Sequence, residues 1–146
     1  MPVIKTIQQH TLVLDTHVLL WQMEGNTILL PSFRKVIEKR KPGSVLLSAI
    51  SIWEIGMLAE KERIVLGMDT LEWVEQVLQC PLFQLIPLSP SVAIQSCRLP
   101  GTVHGDPADR ILLATAHIHN AVLVSCDEKI LSYGRDRFCS VYNPCR

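Results

Sequence analysis

The run Thr11-Leu12-Val13-Leu14-Asp15-Thr16-His17 decides the fold. Its apolar stretch is too short for a helix and ends on an acid, so it reads as a buried strand whose carboxyl end delivers Asp15. The pattern returns at Ala121-Val122-Leu123-Val124-Ser125-Cys126-Asp127, a second strand ending in a carboxylate. Between them, Val45-Leu46-Leu47 passes through Ser48 into a helix carrying Ile52-Trp53-Glu54-Ile55, and Phe83-Gln84-Leu85-Ile86-Pro87-Leu88 reads as a third strand. A last strand is expected over 138–142. Helical spacing or capping signals fill the gaps: 32–41 with a basic face, 71–78 capped by Asp69 or Thr70, Ser89-Pro90 onward to about residue 98, 107–116, and a short helix over 128–133. Apolar strands alternating with helices imply an α/β protein with a mostly parallel sheet covered on both faces.

The charged helix start Asp106-Pro107-Ala108-Asp109-Arg110 is the second anchor. Pro107 suits the first helical position, which makes Asp106 the N-cap and Asp109 the third helical residue. Each acid has a local explanation when taken alone. Asp15 and Asp106 suit caps, and Ser51 with Glu54 spells a capping box. Their coincidence asks for more. In parallel sheets ligands bind beyond the carboxyl ends of the strands, at the point where strand order reverses. If the first and fourth strands are neighbours, Asp15, Glu54, Asp109 and Asp127 share one pocket. Four carboxylates repel one another unless a cation neutralises them, and oxygen-only donors select hard ions such as Mg²⁺ or Mn²⁺. Such ions suit phosphodiester hydrolysis, where they activate water and stabilise charge on the phosphate.

Composition narrows the rest. The chain has 146 residues, 48% of them hydrophobic and 19% charged, which suits one globular domain over 1–146 with a short lead-in at 1–10. Fourteen basic residues balance fourteen acidic ones, so nucleic-acid binding would have to come from local patches. The five cysteines are an odd number with no C-x-x-C pair and no secretory signal. They are expected to be reduced thiols in a cytoplasmic protein. Nothing has zinc-ligand spacing. No apolar run approaches the roughly 18 residues of a membrane span, so no membrane partner is expected.

With these residues in place, the sequence resembles the PIN domain family, and within it the VapC-type toxins of bacterial toxin–antitoxin pairs. The resemblance rests on Leu14-Asp15-Thr16-His17 with Leu20-Trp21, Ser51-Ile52-Trp53-Glu54-Ile55, Asp106-Pro107-Ala108-Asp109-Arg110 with Ala114-Thr115-Ala116, and Ser125-Cys126-Asp127. It spans roughly residues 12–142. It implies a three-layer α/β/α sandwich with a parallel sheet in the order 3-2-1-4-5. It implies a Mg²⁺- or Mn²⁺-dependent endoribonuclease with Asp15, Glu54, Asp109 and Asp127 as the catalytic, metal-binding acids. Asp106 is then an accessory acid or cap, Thr16 and Ser125 are hydroxyls near the metal, and Arg110 orders the carboxylates or the helix start. The family more often has Thr where Ser125 stands. Many relatives carry Arg before the Asp-Pro pair, where this chain has Gly105 after His104.

Membership would also imply a homodimer and a small antitoxin that covers the active site. Arg34, Lys35, Lys39 and Arg40 on the basic helix, with Lys61 and Arg63, are the candidate contacts to the RNA backbone, where phosphate contacts position a substrate without specifying sequence. A receiver-like domain would want paired acids after the first strand and a later strand-end lysine. A dehalogenase-type phosphatase would want Asp where His17 stands. The remaining alternative is a PIN-like module that binds RNA or protein without cutting.

Overall fold

Leu12, Val13 and Leu14 are completely buried. They form β1 (Leu12–Leu14), the middle strand of a five-stranded, all-parallel sheet. This is a computed structural model, and it describes residues 7–101, 103, 105–136 and 138–146. β1 pairs with β2 (Val45–Ser48) on one side and β4 (Val122–Val124) on the other, with Leu12 opposite both Val45 and Val122. β3 (Phe83–Ile86) lies beyond β2, and β5 (Val141–Tyr142) beyond β4. The order is therefore β3-β2-β1-β4-β5, as expected. β5 is shorter than the sequence suggested, at two residues.

Seven helices among the described residues cover the sheet: α1 (Thr16–Glu24), α2 (Pro31–Glu38), α3 (Ala49–Glu60), α4 (Thr70–Gln79), α5 (Pro90–Cys97), α6 (Pro107–Ile118) and α7 (Glu128–Arg135). Strand alternation divides the core in two. Leu12, Leu14, Val45, Leu47, Val122 and Val124 face the layer of α1 to α4, where they meet Leu19, Phe33, Ile55 and Val74. Val13, Leu46 and Leu123 face the other way, onto Leu112, Leu113 and Ala116 of α6 and Ile130 of α7. The product is the three-layer α/β/α sandwich. α7 lies so close on β5 that a Cβ at Gly134 would stand 2.8 Å from a Val141 methyl. Gly25 ends α1 in the left-handed region at φ 68°, a conformation that glycine adopts without steric cost.

Three expectations are corrected here. Ser51 does not start its helix: Ser48 does, its side chain accepting the Ile50 amide at 3.1 Å, which leaves Ser51 inside α3 and fully buried. The basic helix stops at Glu38, so Lys39, Arg40 and Lys41 lie in the turn that follows. Finally, Cys126 and Cys145 form a disulfide, with Cα atoms 6.1 Å apart, inside the span such a bond permits. Cys80, Cys97 and Cys139 are free, so the reading of five thiols holds for three. His104 and residues 1–6 of the expected lead-in fall outside the described residues. Among the described residues, no helix is long and apolar enough to cross a membrane.

Candidate active site

Parallel strands that end level bring the residues just after them to one rim. Asp15 directly follows β1 and Asp127 is the third residue after β4, while Glu54 projects from the second turn of α3 and Asp106 and Asp109 from the start of α6. All five carboxylates line a single open crevice of about 420 Å³, together with His17, Trp21 and Cys126. No lysine or arginine among the described residues lines it.

Three of these acids are helix caps as well. Asp15 takes the Thr16 amide on Oδ1 at 2.7 Å and the Ser125 hydroxyl on Oδ2 at 2.6 Å. The Ser125 oxygen in turn accepts the Asp127 amide at 3.0 Å, which ties the ends of β1 and β4 together. Asp127 Oδ1 receives the amides of Lys129 and Ile130 at 2.8 and 3.2 Å. Asp106 Oδ1 receives those of Ala108 and Asp109 at 2.9 and 3.3 Å. In both cases one oxygen holds the helix start, and Oδ2 carries no hydrogen bond among the described residues.

Glu54 is held differently. The buried Thr16 hydroxyl stands 2.8 Å from Glu54 Oε1 and 2.9 Å from Ser51 Oγ. A hydroxyl has one proton, so Thr16 donates it to the carboxylate and accepts from Ser51. Sequence reasoning missed Ser51 as a supporting residue, although its i, i+3 spacing to Glu54 sets both on one face of α3. His17, Trp21 and Cys126 were also missed as wall residues. His17 and Cys126 stand close to Asp15 and Asp127 in sequence, and Trp21 lies one helical turn after His17. Arg110 reaches the Val103 carbonyl at 3.3 Å.

The electrostatics match the crowding. Burial pushes the Glu54 carboxyl up to about 6, aided by the nearby charges of Asp15, Asp109 and Asp106 and opposed by the Thr16 hydrogen bond. Burial also raises Asp15, against the lowering effects of Ser125, the Thr16 amide and His17. As the side chains are oriented, no three His, Cys, Asp or Glu residues among those described form a group that could hold a metal ion. The donor set nevertheless fits one: carboxylate oxygens only, with Oδ2 of Asp106 and of Asp127 free of hydrogen bonds among the described residues, in a crevice where neighbouring carboxylates raise the proton affinity of Glu54 and Asp15.

The predicted RNA-contact cations are not gathered at this rim. Lys35, Lys39 and Arg40 line a separate groove of about 900 Å³ with Lys41, Thr11 and Ser44, at the amino ends of β1 and β2. Arg40 is occupied there, donating to the carbonyls of Ile7 and His10 and to the Ser44 hydroxyl. Arg34 turns its guanidinium to the Gly25 carbonyl at 3.4 Å. Lys61 and Arg63 are exposed beyond the end of α3.

Comparison with known proteins agrees with this architecture. The PIN domain family matches residues 12–136. Ribonuclease VapC22 of Mycobacterium tuberculosis is 34% identical over 132 residues, covering 90% of this chain and 98% of the relative. Among solved structures, the DNA-bound VapBC of Salmonella typhimurium aligns with TM-score 0.66 at 16% identity, covering 94% of this chain and all of the other. A toxin–antitoxin complex from Klebsiella pneumoniae aligns with TM-score 0.62 at 21% identity, covering 90% and 96%. At those identities the structural likeness speaks for the fold.

Proposed function

The chain belongs to the PIN domain family, and we propose that it is a Mg²⁺- or Mn²⁺-dependent endoribonuclease, the toxin of a toxin–antitoxin pair. The observation that carries this reading is the crevice itself, where Asp15, Glu54, Asp106, Asp109 and Asp127 meet with no lysine or arginine among the described residues on its walls. The ribonuclease named among its relatives supports the same activity.

Asp15, Glu54, Asp109 and Asp127 would hold the divalent ion, which supplies charge stabilisation on the phosphate and an activated water. The chain's own part is to keep those oxygens in place. Ser125 bridges Asp15 to the Asp127 backbone, so the acids after β1 and β4 move as one unit. Thr16, backed by Ser51, sets the Glu54 carboxylate. Asp106 fixes the start of α6 and so the position of Asp109. Arg110, tied to the Val103 carbonyl, steadies the same turn.

The whole chain would act as one domain, in the cytoplasm where its substrate is, as a homodimer held in check by a small antitoxin. The fold neighbours that are toxin–antitoxin complexes support the last point. Lys35, Lys39, Lys61 and Arg63 are exposed and would meet the RNA backbone outside the crevice. Arg34 and Arg40 would serve first as ties within the fold.

The deciding experiment is cleavage of total bacterial RNA by purified, antitoxin-free protein with Mn²⁺, with Mg²⁺ and with EDTA, alongside Asp15→Ala and Asp109→Asn. The expected result is discrete, metal-dependent fragments that vanish in both variants. A folded, metal-loaded protein that binds RNA without cutting it would instead mark a binding module.

A further inference from the structure

Cys126 stands between two residues on which the proposed chemistry depends. Before it, Ser125 donates its hydroxyl to Asp15 at 2.6 Å; after it, Asp127 opens on the carboxylate crevice, whose wall Cys126 itself joins. Its sulfur is bonded to that of Cys145, in the segment after β5. That segment is fastened to a different part of the molecule. The Leu30 amide donates to the Pro144 carbonyl at 2.8 Å, the Arg146 amide to the Ile28 carbonyl at 3.1 Å and Arg146 Nε to the Thr27 carbonyl at 2.8 Å. Residues 27–30 link α1 to α2, and α1 starts at Thr16, which sets the Glu54 carboxylate. The disulfide therefore closes a second path from the Asp127 loop to the elements that carry Asp15 and Glu54, beside the Ser125 bridge.

We propose that the Cys126–Cys145 disulfide is a redox-dependent positioning element of the metal site: oxidation fixes Asp127 where the cation needs it, and reduction loosens it. The inference rests on the metal reading given above. Asp127, Glu128 and Lys129 are all exposed, so packing does little to hold this loop. Hydrogen bonds hold it instead, from the Asp127 amide to Ser125 and from the Lys129 and Ile130 amides to the Asp127 carboxylate. A crosslink one residue before Asp127 removes competing arrangements of such a loop, and so favours the one the cation binds. The bond is also placed for exchange. Both cysteines are only partly buried, Cys126 opens on the crevice, and a disulfide in a reducing cytoplasm is more often a sensor than a permanent brace. In the exchange two glutathione thiols give up two electrons and two protons, the Sγ–Sγ bond breaks, both cysteines end as thiols and glutathione ends as its disulfide. Such coupling is reciprocal. If the disulfide tightens the cation, the cation stabilises the disulfide by the same factor.

The test measures both sides of that equality in full-length protein, well below its melting temperature. Thiol titration of unfolded protein first establishes the two states, with three thiols when oxidised and five when reduced. Mn²⁺ affinity is then followed by calorimetry in oxidised wild type, reduced wild type, Cys145→Ser and Val77→Ala, the last removing core methyls on α4 away from the crevice. Reduction and Cys145→Ser are each expected to weaken Mn²⁺ binding by roughly fivefold or more. Val77→Ala should lower the Tm and leave the affinity unchanged, which separates positioning from general stability. In glutathione buffers, saturating Mn²⁺ should raise the protein's oxidation constant by the factor that separates the two affinities. Equal Mn²⁺ affinity in the oxidised and reduced forms, with an oxidation constant that ignores Mn²⁺, would overturn the proposal and leave the disulfide as a brace for the fold. Five thiols under oxidising conditions would overturn it as well. In both cases Mn²⁺ binding leaves the metal reading standing. If no form binds Mn²⁺, that reading falls and this one with it.

Discussion

Asp106 and Asp127 each spend one oxygen on a helix start and leave the other without a hydrogen bond among the described residues, so capping and cation binding are not rival roles for these residues. Glu54 has no capping task, and its environment favours the neutral form, with the carboxyl raised from 4.5 to about 6. A carboxyl whose folded value is raised contributes stability that is full below its unfolded value and lost as pH rises through the folded one. Metal-free protein should therefore lose stability between about pH 4.5 and 6 on account of Glu54. Because the side chain is only half-buried, the full conversion of the shift is discounted for solvent screening, to about 1 kcal/mol. Glu54→Gln keeps an oxygen for the Thr16 hydroxyl and removes the charge. It is expected to raise the Tm of metal-free protein at pH 7.5 by roughly 2–4 °C, to flatten the melting profile across that pH window, and to abolish metal-dependent cleavage. Differential scanning fluorimetry against pH checks the first two. The acids were legible in the sequence because strand ends and a Pro-led helix announce them. Ser51 was misread because Ser-x-x-Glu spells a capping box whether or not the helix starts there, and Ser48, three residues earlier, supplies the actual cap.

Between elements, the loop after β4 is pinned from an unexpected side. Cys126 sits between Ser125 and Asp127, and its disulfide reaches Cys145 in a tail docked on the turn before α2. That docking is backbone pairing: the Leu30 amide donates to the Pro144 carbonyl at 2.8 Å and the Arg146 amide to the Ile28 carbonyl at 3.1 Å. The bond closes a loop with a sequence separation of 19, for which chain entropy gives about 3 kcal/mol. Cys145→Ala is expected to lower the Tm under oxidising conditions by roughly 6–12 °C. Reductant should lower the wild-type melt towards that of the variant and leave the variant unmoved. Sequence could not show this pairing, since two cysteines without motif spacing are joined only by a tail that folds back across the molecule. The sheet was readable for the converse reason. Its strands are short, fully apolar and separated by helices, which leaves a parallel arrangement as the simplest way to bury them. Strand order came from the family resemblance, and the pairing of β1 with β4 agrees with it.

Across the whole molecule, equal numbers of acidic and basic residues conceal a polar arrangement: carboxylates gather at the carboxyl ends of the strands, and Lys35, Lys39, Arg40 and Lys41 at the amino ends. Neutral composition gave no sign of this, because the segregation depends on which end of a parallel sheet each connection occupies. The consequence is that a divalent cation should stabilise the fold by relieving one pole, and should do so in competition with protons. A ligand that binds only folded protein at ten times its Kd contributes about 1.4 kcal/mol, or a Tm rise of roughly 3–6 °C at this size. At pH 7.5 Glu54 is charged and the full rise is expected with Mn²⁺. At pH 5.5, below the Glu54 value of about 6, binding must first displace a proton, so the same Mn²⁺ concentration should give a smaller rise. Glu54→Gln should shrink the rise at pH 7.5 and remove most of its pH dependence. Ca²⁺, K⁺ and ionic-strength controls separate specific binding from general screening of the acidic rim. A melting temperature that responds equally to Mn²⁺ and to matched ionic strength would mean that the crevice repels without coordinating, and the metal assignment would fail even if the fold and the carboxylate geometry stood.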